Sequence, residues 1–111
     1  MLPVSARAAA APFTAVSDPA RRRILELLRV RERPVNELVE RLDLSQPGVS
    51  KHLRVLREAG LVRVRPEGRR RVYGLRAEPL AELDAWLAPY RKLWGGKLDV
   101  LERHLDEMED T

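Results

Sequence analysis

The stretch Asn36–Gly60, NELVERLDLSQPGVSKHLRVLREAG, decides how the rest of the chain is read. It spells a short helix from about Asn36 to Leu42, a tight turn through Asp43 and Leu44, and a second helix from Gln46 to Ala59. Ser45 stands at the N-cap of the second helix, with Gln46 and Pro47 in its first turn. A serine oxygen accepts from the first free amides of a helix, and proline is tolerated there because its missing N–H would have no partner anyway. Gly60 follows the last periodic residue and is the expected C-terminal stop. At about 100° per residue, Val49, Leu53 and Leu56 gather on one side of this helix, and Pro47, Ser50, Lys51 and Arg54 lie opposite. An apolar back beneath a small, polar and cationic front suits a helix that enters the DNA major groove and donates to base edges and phosphates. His52 and Val55 fall off an edge of the apolar stripe, so His52 is placed to pack or to reach a phosphate rather than to read bases.

Upstream, Asp18-Pro19 forms an N-cap and first-turn proline that open a helix from Pro19 to about Val30. Ile24, Leu25, Leu27 and Leu28 supply its buried stripe, with Arg21, Arg22 and Arg23 near its start. Before it, residues 1–6 are expected to fray, and Pro12 favours a helix starting there, with Phe13 and Val16 on one face. Glu32-Arg33-Pro34 breaks the pattern, because the residue before a proline is pushed to extended backbone. Val35 then leads into the first motif helix, with Leu38, Val39 and Leu42 inward. After Gly60 the period changes to two. Leu61-Val62-Arg63-Val64-Arg65 alternates apolar and cationic, Pro66-Glu67-Gly68 reads as a turn, and Arg71, Tyr73 and Leu75 alternate on the return, which makes a hairpin.

From Glu78 to about Met108 the spacing is helical again, through Leu80, Leu83, Trp86 and Leu87, then Tyr90, Leu93 and Trp94, then Leu98, Leu101 and Leu105. Pro89 would cost about 3 kcal/mol inside a helix and nothing at a new first turn, so two segments meeting near Ala88 are expected. Gly95 and Gly96 weaken the second segment by roughly 2 kcal/mol relative to alanine, which leaves its continuity open.

SQPGVSKHLRVLREAGLV, the upstream DPARRRILELL and the downstream basic hairpin together resemble the ArsR/SmtB-type family of small winged helix-turn-helix transcription regulators. The resemblance covers residues 12–77 well and the tail more loosely, and it rests on three blocks in the family's order and spacing. It implies a mainly α fold with a small β-hairpin, in which residues 12–77 form the winged-helix core. It also implies a dimer made through the first and last helices, residues 78–108 supplying the latter. Phe13, Leu83, Trp86, Leu87, Tyr90, Trp94, Leu98 and Leu101 are the corresponding interface candidates.

At 111 residues this is one small domain with a modest core, and five aromatic residues are few, so part of the stability is expected from a second copy. The charge is unevenly divided. Residues 1–77 carry 17 Lys and Arg against 8 Asp and Glu, a net +9, whereas residues 78–111 carry 4 against 9, a net −5, within an overall +4. A basic block of this size draws polyanions in a salt-dependent way, without by itself choosing DNA over RNA or anionic lipid. The absence of cysteine excludes disulfides and thiolate metal sites. The first residues are short and weakly apolar for a secretory signal, and no run reaches the roughly 18 apolar residues of a membrane span, so a cytoplasmic protein without a membrane partner is expected.

Each candidate has a plainer alternative. Ser45, Gln46, Pro47, Ser50, Lys51, His52 and Arg54 are assigned to DNA, with Gln46 suited to adenine and Lys51 or Arg54 to guanine; otherwise they form an ordinary solvated face. Arg69, Arg70 and Arg71 are assigned to phosphates or a minor groove, against a solubilising loop, and Arg71 shares its alternating face with Tyr73 and Leu75. Trp86, Tyr90 and Trp94 recur every four residues, as a stripe sealing a helix or a second subunit rather than a ligand pocket. Family metal sites use Cys near the first motif helix, where this chain has Val39, Glu40 and Arg41, or His with carboxylates on the last helix. Here that helix offers only His104 with Asp99, Glu102 and Glu107, and neither a metal nor another cofactor is expected. No Gly-rich phosphate loop or catalytic constellation is visible, so an enzyme is not expected. The reading is a dimeric, sequence-specific repressor of duplex DNA. The alternatives are a metal-responsive repressor with oxygen and nitrogen ligands on the tail, and a winged helix used for protein or RNA contacts. Operator, regulated genes and effector are not legible in the sequence.

Overall fold

In the computed structural model, residues 11–109 are described, with side chains through Trp94. Residues 1–6, and the side chains of Leu98, Leu101, His104 and the carboxylates around it, lie outside the described residues. Residues 11–16 form helix α1, followed by α2 (Pro19–Val30), β1 (Arg33–Pro34), α3 (Val35–Leu42), α4 (Gln46–Glu58), β2 (Val62–Glu67), β3 (Arg70–Leu75) and α5 (Glu78–Glu109). The strands form one antiparallel sheet in the order β1-β3-β2.

The helix ends follow from the local chemistry. Asp18 caps α2 by accepting from the amides of Ala20 at 2.8 Å and Arg21 at 3.2 Å, and these amide bonds hold its carboxyl below the usual range. Ile24, Leu27 and Leu28 then point into the core. α3 stops at Asp43, whose left-handed φ of 54° opens the turn to Ser45. Ser45 Oγ accepts from the Gly48 amide at 3.2 Å and starts α4. At its far end, Gly60 has φ 76°, its amide bonds the Arg57 carbonyl at 3.0 Å, and the Leu61 amide bonds the Leu56 carbonyl at 2.9 Å. This is a Schellman close, in which two otherwise orphaned carbonyls are satisfied and Leu56 and Leu61 meet in the core.

The core lies where α2, α3, α4 and the sheet converge. Ile24, Leu38, Val49, Leu56 and Leu61 are fully enclosed and Leu53 nearly so, with Val62 buried from the wing side. α1 is held to this body through its last carbonyls. Arg21 donates to Ala15 at 2.7 Å and Thr14 at 3.1 Å, and Arg22 donates to Val16 at 2.8 Å. Free carbonyls at a helix C-terminus favour cations, so Arg21 and Arg22 act as caps for the preceding helix.

Three features differ from the sequence expectations. The extended Arg33-Pro34 segment is a third strand, with Arg33 opposite Tyr73 and Pro34 opposite Val72. Two residues give no alternation to detect. The hairpin turn is shorter than expected, since Pro66 and Glu67 pair with Arg71 and Arg70 and leave Gly68 and Arg69 as the loop. Gly68 supplies the positive φ of 63° at the first loop position, and Pro66 is accommodated because β2 is an edge strand. Arg71 is exposed, whereas Tyr73 and Leu75 on its alternating face pack against the core, because it lies nearer the hairpin tip.

The last difference is the largest. α5 is a single helix of 32 residues that continues through Pro89, Gly95 and Gly96, with no break near Ala88. Pro89 frees the carbonyl of Ala85, an exposed residue of the helix, so hydration eases the penalty of about 3 kcal/mol. Two glycines at about 1 kcal/mol each are too little to interrupt a helix already nucleated on both sides.

Candidate nucleic-acid interface

The face of α4 opposite its buried Val49, Leu53 and Leu56 is open. Gln46, Pro47, Ser50, Lys51 and Arg54 are all exposed, and the last four of these line a shallow groove. No carboxylate pairs with Lys51 or Arg54 among the described residues, so both cations are available to an anionic partner. Ser45 is exposed too, although its hydroxyl is occupied as the helix cap. His52 sits apart from this face. It is half-buried, and its Nδ1 lies 3.4 Å from Arg21 Nη1, so it is turned toward α2.

The wing meets the recognition helix along one edge. Gln46 and Ser50 share a groove of about 390 Å³ with Arg69, Arg70, Arg71 and Tyr73, floored by Pro34, Val35 and Asn36 at the start of α3. A second groove of about 270 Å³ runs behind it, lined by Arg57, Val64, Arg65, Pro66 and Arg71. The grooves join the two elements named from the sequence, α4 and the hairpin, and add Asn36, Tyr73 and Arg57, which the sequence analysis did not name. Arg57 carried a usable signal, since it lies seven residues after Ser50 and so on the same helix face. Asn36 and Tyr73 carried none, because only the packing of α3 and β3 places them at the groove.

The three tip arginines are not equivalent. Arg70 donates to Glu67 at 3.1 Å, which holds the Glu67 carboxyl below its usual range, whereas Arg69 and Arg71 have no carboxylate partner among the described residues. Ionic contacts join β1 to α3, whose first residues line the groove. Arg33 is buried, at 4% exposure, with its Nε donating to the Leu27 carbonyl at 3.0 Å and its Nη1 to Glu37 at 2.7 Å. Arg31 also donates to Glu37, and its bond is the main reason that the Glu37 carboxyl titrates low. Together these contacts tie α3 to β1, and hence the helix-turn-helix to the wing.

A helix-turn-helix with an exposed cationic recognition helix, joined edge to edge to a basic hairpin, defines a winged helix-turn-helix DNA-binding protein. The family profile described as "Bacterial regulatory protein, arsR family" matches residues 18–64. The transcriptional repressor SdpR of Bacillus subtilis is 32% identical over 75 residues, a match covering 68% of this chain and 83% of that one. The HTH-type transcriptional regulator Rv2034 of Mycobacterium tuberculosis is 46% identical over 71 residues, covering 64% of this chain and 66% of the relative. The crystal structure of an ArsR family transcriptional regulator, RHA00566, superposes with a TM-score of 0.73 at 32% identity, covering 86% of this chain and 97% of the other. The chain belongs to the ArsR family of bacterial regulatory proteins, and it is a DNA-binding transcriptional regulator rather than an enzyme.

Among the described residues no helix is long and apolar enough to cross a membrane, and no three His, Asp or Glu side chains gather as a metal site. The tail cluster around His104 is outside that statement.

Proposed function

We propose that the chain is a dimeric, cytoplasmic repressor that recognises an inverted-repeat operator, with residues 12–77 as the DNA-binding core and 78–108 as the dimerisation helix. The carrying observation is the exposed row Gln46, Ser50, Lys51 and Arg54 beside the free Arg69 and Arg71, all backed by a packed core. Gln46 offers the paired donor and acceptor that suit adenine, Lys51 and Arg54 suit guanine, and the wing arginines suit phosphates or a minor groove. Two-fold symmetry then sets half-sites one or more helical turns apart, about 10 to 10.5 base pairs each. Occlusion of a promoter by such a dimer gives repression, in keeping with the repressor SdpR among its relatives.

The dimer is supported by an apolar row on α5. Trp86, Tyr90 and Trp94 are exposed, Leu93 is 77% exposed, and the Trp86 ring meets Phe13 of α1 edge-on at 5.1 Å. Of the interface set, Leu83 is buried within the single chain and Leu87 is half-buried.

Selection of random duplexes by the purified protein, followed by titration of the enriched site, tests the reading. An inverted repeat bound at least 100-fold more tightly than random duplex is expected, with Lys51→Ala losing about 1–3 kcal/mol on that site. Weak binding with no enriched motif would sink sequence-specific recognition.

A further inference from the structure

The wing carries five arginines, and the structure divides them. Arg63 and Arg65 on β2 stand opposite Gly74 and Val72, on the sheet face turned away from Val62, Tyr73 and Leu75, which pack on the core. Glu32, from the loop between α2 and β1, lies across that outer face. Its Oε1 accepts from Arg65 Nη2 at 3.2 Å, and its Oε2 from Arg65 Nε at 3.3 Å and Arg63 Nη2 at 3.5 Å. Arg63 also donates to the Leu75 carbonyl, and Arg65 is held from the tip side by Glu67 at 3.1 Å. Gly74 leaves room for this arrangement, since a Cβ there would stand 2.9 Å from Arg63 Cζ and 3.0 Å from Glu32 Oε2. Arg69 and Arg71, by contrast, have no carboxylate partner among the described residues.

Resting on the DNA-binding reading above, we propose that Glu32 is a specificity-determining residue, which holds Arg63 and Arg65 on the outer face of the wing and so withholds two cations from DNA phosphates. A specific complex fixes the pose of the wing through the base contacts of α4. A nonspecific complex has no such constraint and takes whichever pose neutralises most phosphates. Each additional phosphate contact steepens the dependence of log affinity on log salt by about 0.9, a further factor of about 3.5 between 50 and 200 mM salt. Freeing Arg63 and Arg65 therefore favours unrelated duplex over the operator. With Glu32 in place, only the tip counts.

The test uses the full chain, the enriched duplex and a scrambled duplex of equal length, each titrated across a salt series, with thermal melts to verify folding. Glu32→Gln is expected to steepen the slope on scrambled duplex by about one to two contacts' worth and to tighten it severalfold at low salt, while the enriched duplex changes little. Gly74→Ala displaces the flexible ends of Arg63 and Glu32 without changing net charge, and is expected to act in the same direction by about one contact. Arg65→Ala is expected to leave the wild-type slope intact, unlike Arg69→Ala. An unchanged slope for Glu32→Gln overturns the proposal, and so does an Arg65→Ala loss equal to that of Arg69→Ala. Tightening by Glu32→Gln without any change in Gly74→Ala would mean a net-charge effect, and would also overturn it. Failure of the wild type to bind any duplex shows itself before any variant is compared; it removes the DNA-binding reading, and the proposal with it.

Discussion

Arg33 illustrates how much one side chain contributes to this small molecule. A buried guanidinium is costly unless its donors are matched, and here the Leu27 carbonyl and the Glu37 carboxylate match them. Arg33→Ala removes both bonds and leaves the carbonyl unpaired, while Glu37 keeps Arg31 and Arg41. A loss of about 2–4 kcal/mol is expected from urea unfolding, with the midpoint moving and the m-value unchanged. A loss below about 1 kcal/mol would show that the buried contacts are replaceable by water. The same carboxylates set the response to acid. Glu32, Glu37 and Glu67 titrate below their ordinary 4.5, held down by Arg65, Arg31 and Arg70 respectively. Because the folded values are the lower ones, the unfolded chain binds more protons at low pH. Their contribution is complete above that ordinary value and is lost as pH falls through the folded values. The melting temperature is expected to hold from neutral pH down to about 5 and to fall below it, less steeply in Glu37→Gln; a rise on acidification would contradict the sign.

Among the elements, α4 and the wing are set by one residue between them. Gly60 turns the chain out of the recognition helix and into β2, and its φ of 76° is what places Leu61 over Leu56. The space there is adequate, since the nearest atom to an added Cβ is Pro79 Cγ at 3.5 Å, so the cost of a side chain is conformational rather than steric. Gly60→Ala is expected to lower stability by about 1–2 kcal/mol and to weaken DNA binding beyond that, because the wing leaves α4 at a different angle. Unchanged affinity with lowered stability would show that the wing is oriented by the sheet alone. These element ends were legible beforehand, because capping and αL chemistry depend on neighbours within five residues. The third strand was not, since Arg33-Pro34 is a strand only by virtue of β3 beside it. Nor was the unbroken course of α5 through Pro89, which depends on the solvent around Ala85.

On the scale of the whole molecule, α5 has few residues to bury within its own chain. Of its residues with described side chains only Leu83 is buried, and the aromatic row beyond it is exposed and meets the half-buried Phe13 of α1. An exposed apolar row of this kind marks an interaction surface. Light scattering is expected to give a dimer at micromolar concentration, and Trp86→Glu to give monomers that bind the enriched duplex more than about tenfold more weakly, since the two half-sites are then engaged independently. A wild-type monomer that still binds an operator would remove the dimer from the reading.

The sequence by itself determined the framework of α2, the helix-turn-helix with its caps, the basic hairpin, and the cationic face on α4. All of these are written in periodicity and in capping residues whose effects reach only one or two turns. Tertiary structure alone decided which cations are free. Arg21 and Arg22 serve α1, Arg33 is buried with Glu37, Arg63 and Arg65 are held by Glu32, and Lys51, Arg54, Arg69 and Arg71 remain available. The physical reason is distance in the chain. Glu32 and Arg65 are 33 residues apart and meet only because β3 pairs with both β1 and β2, so a charge that looks like part of a DNA-binding patch in one dimension is already neutralised in three.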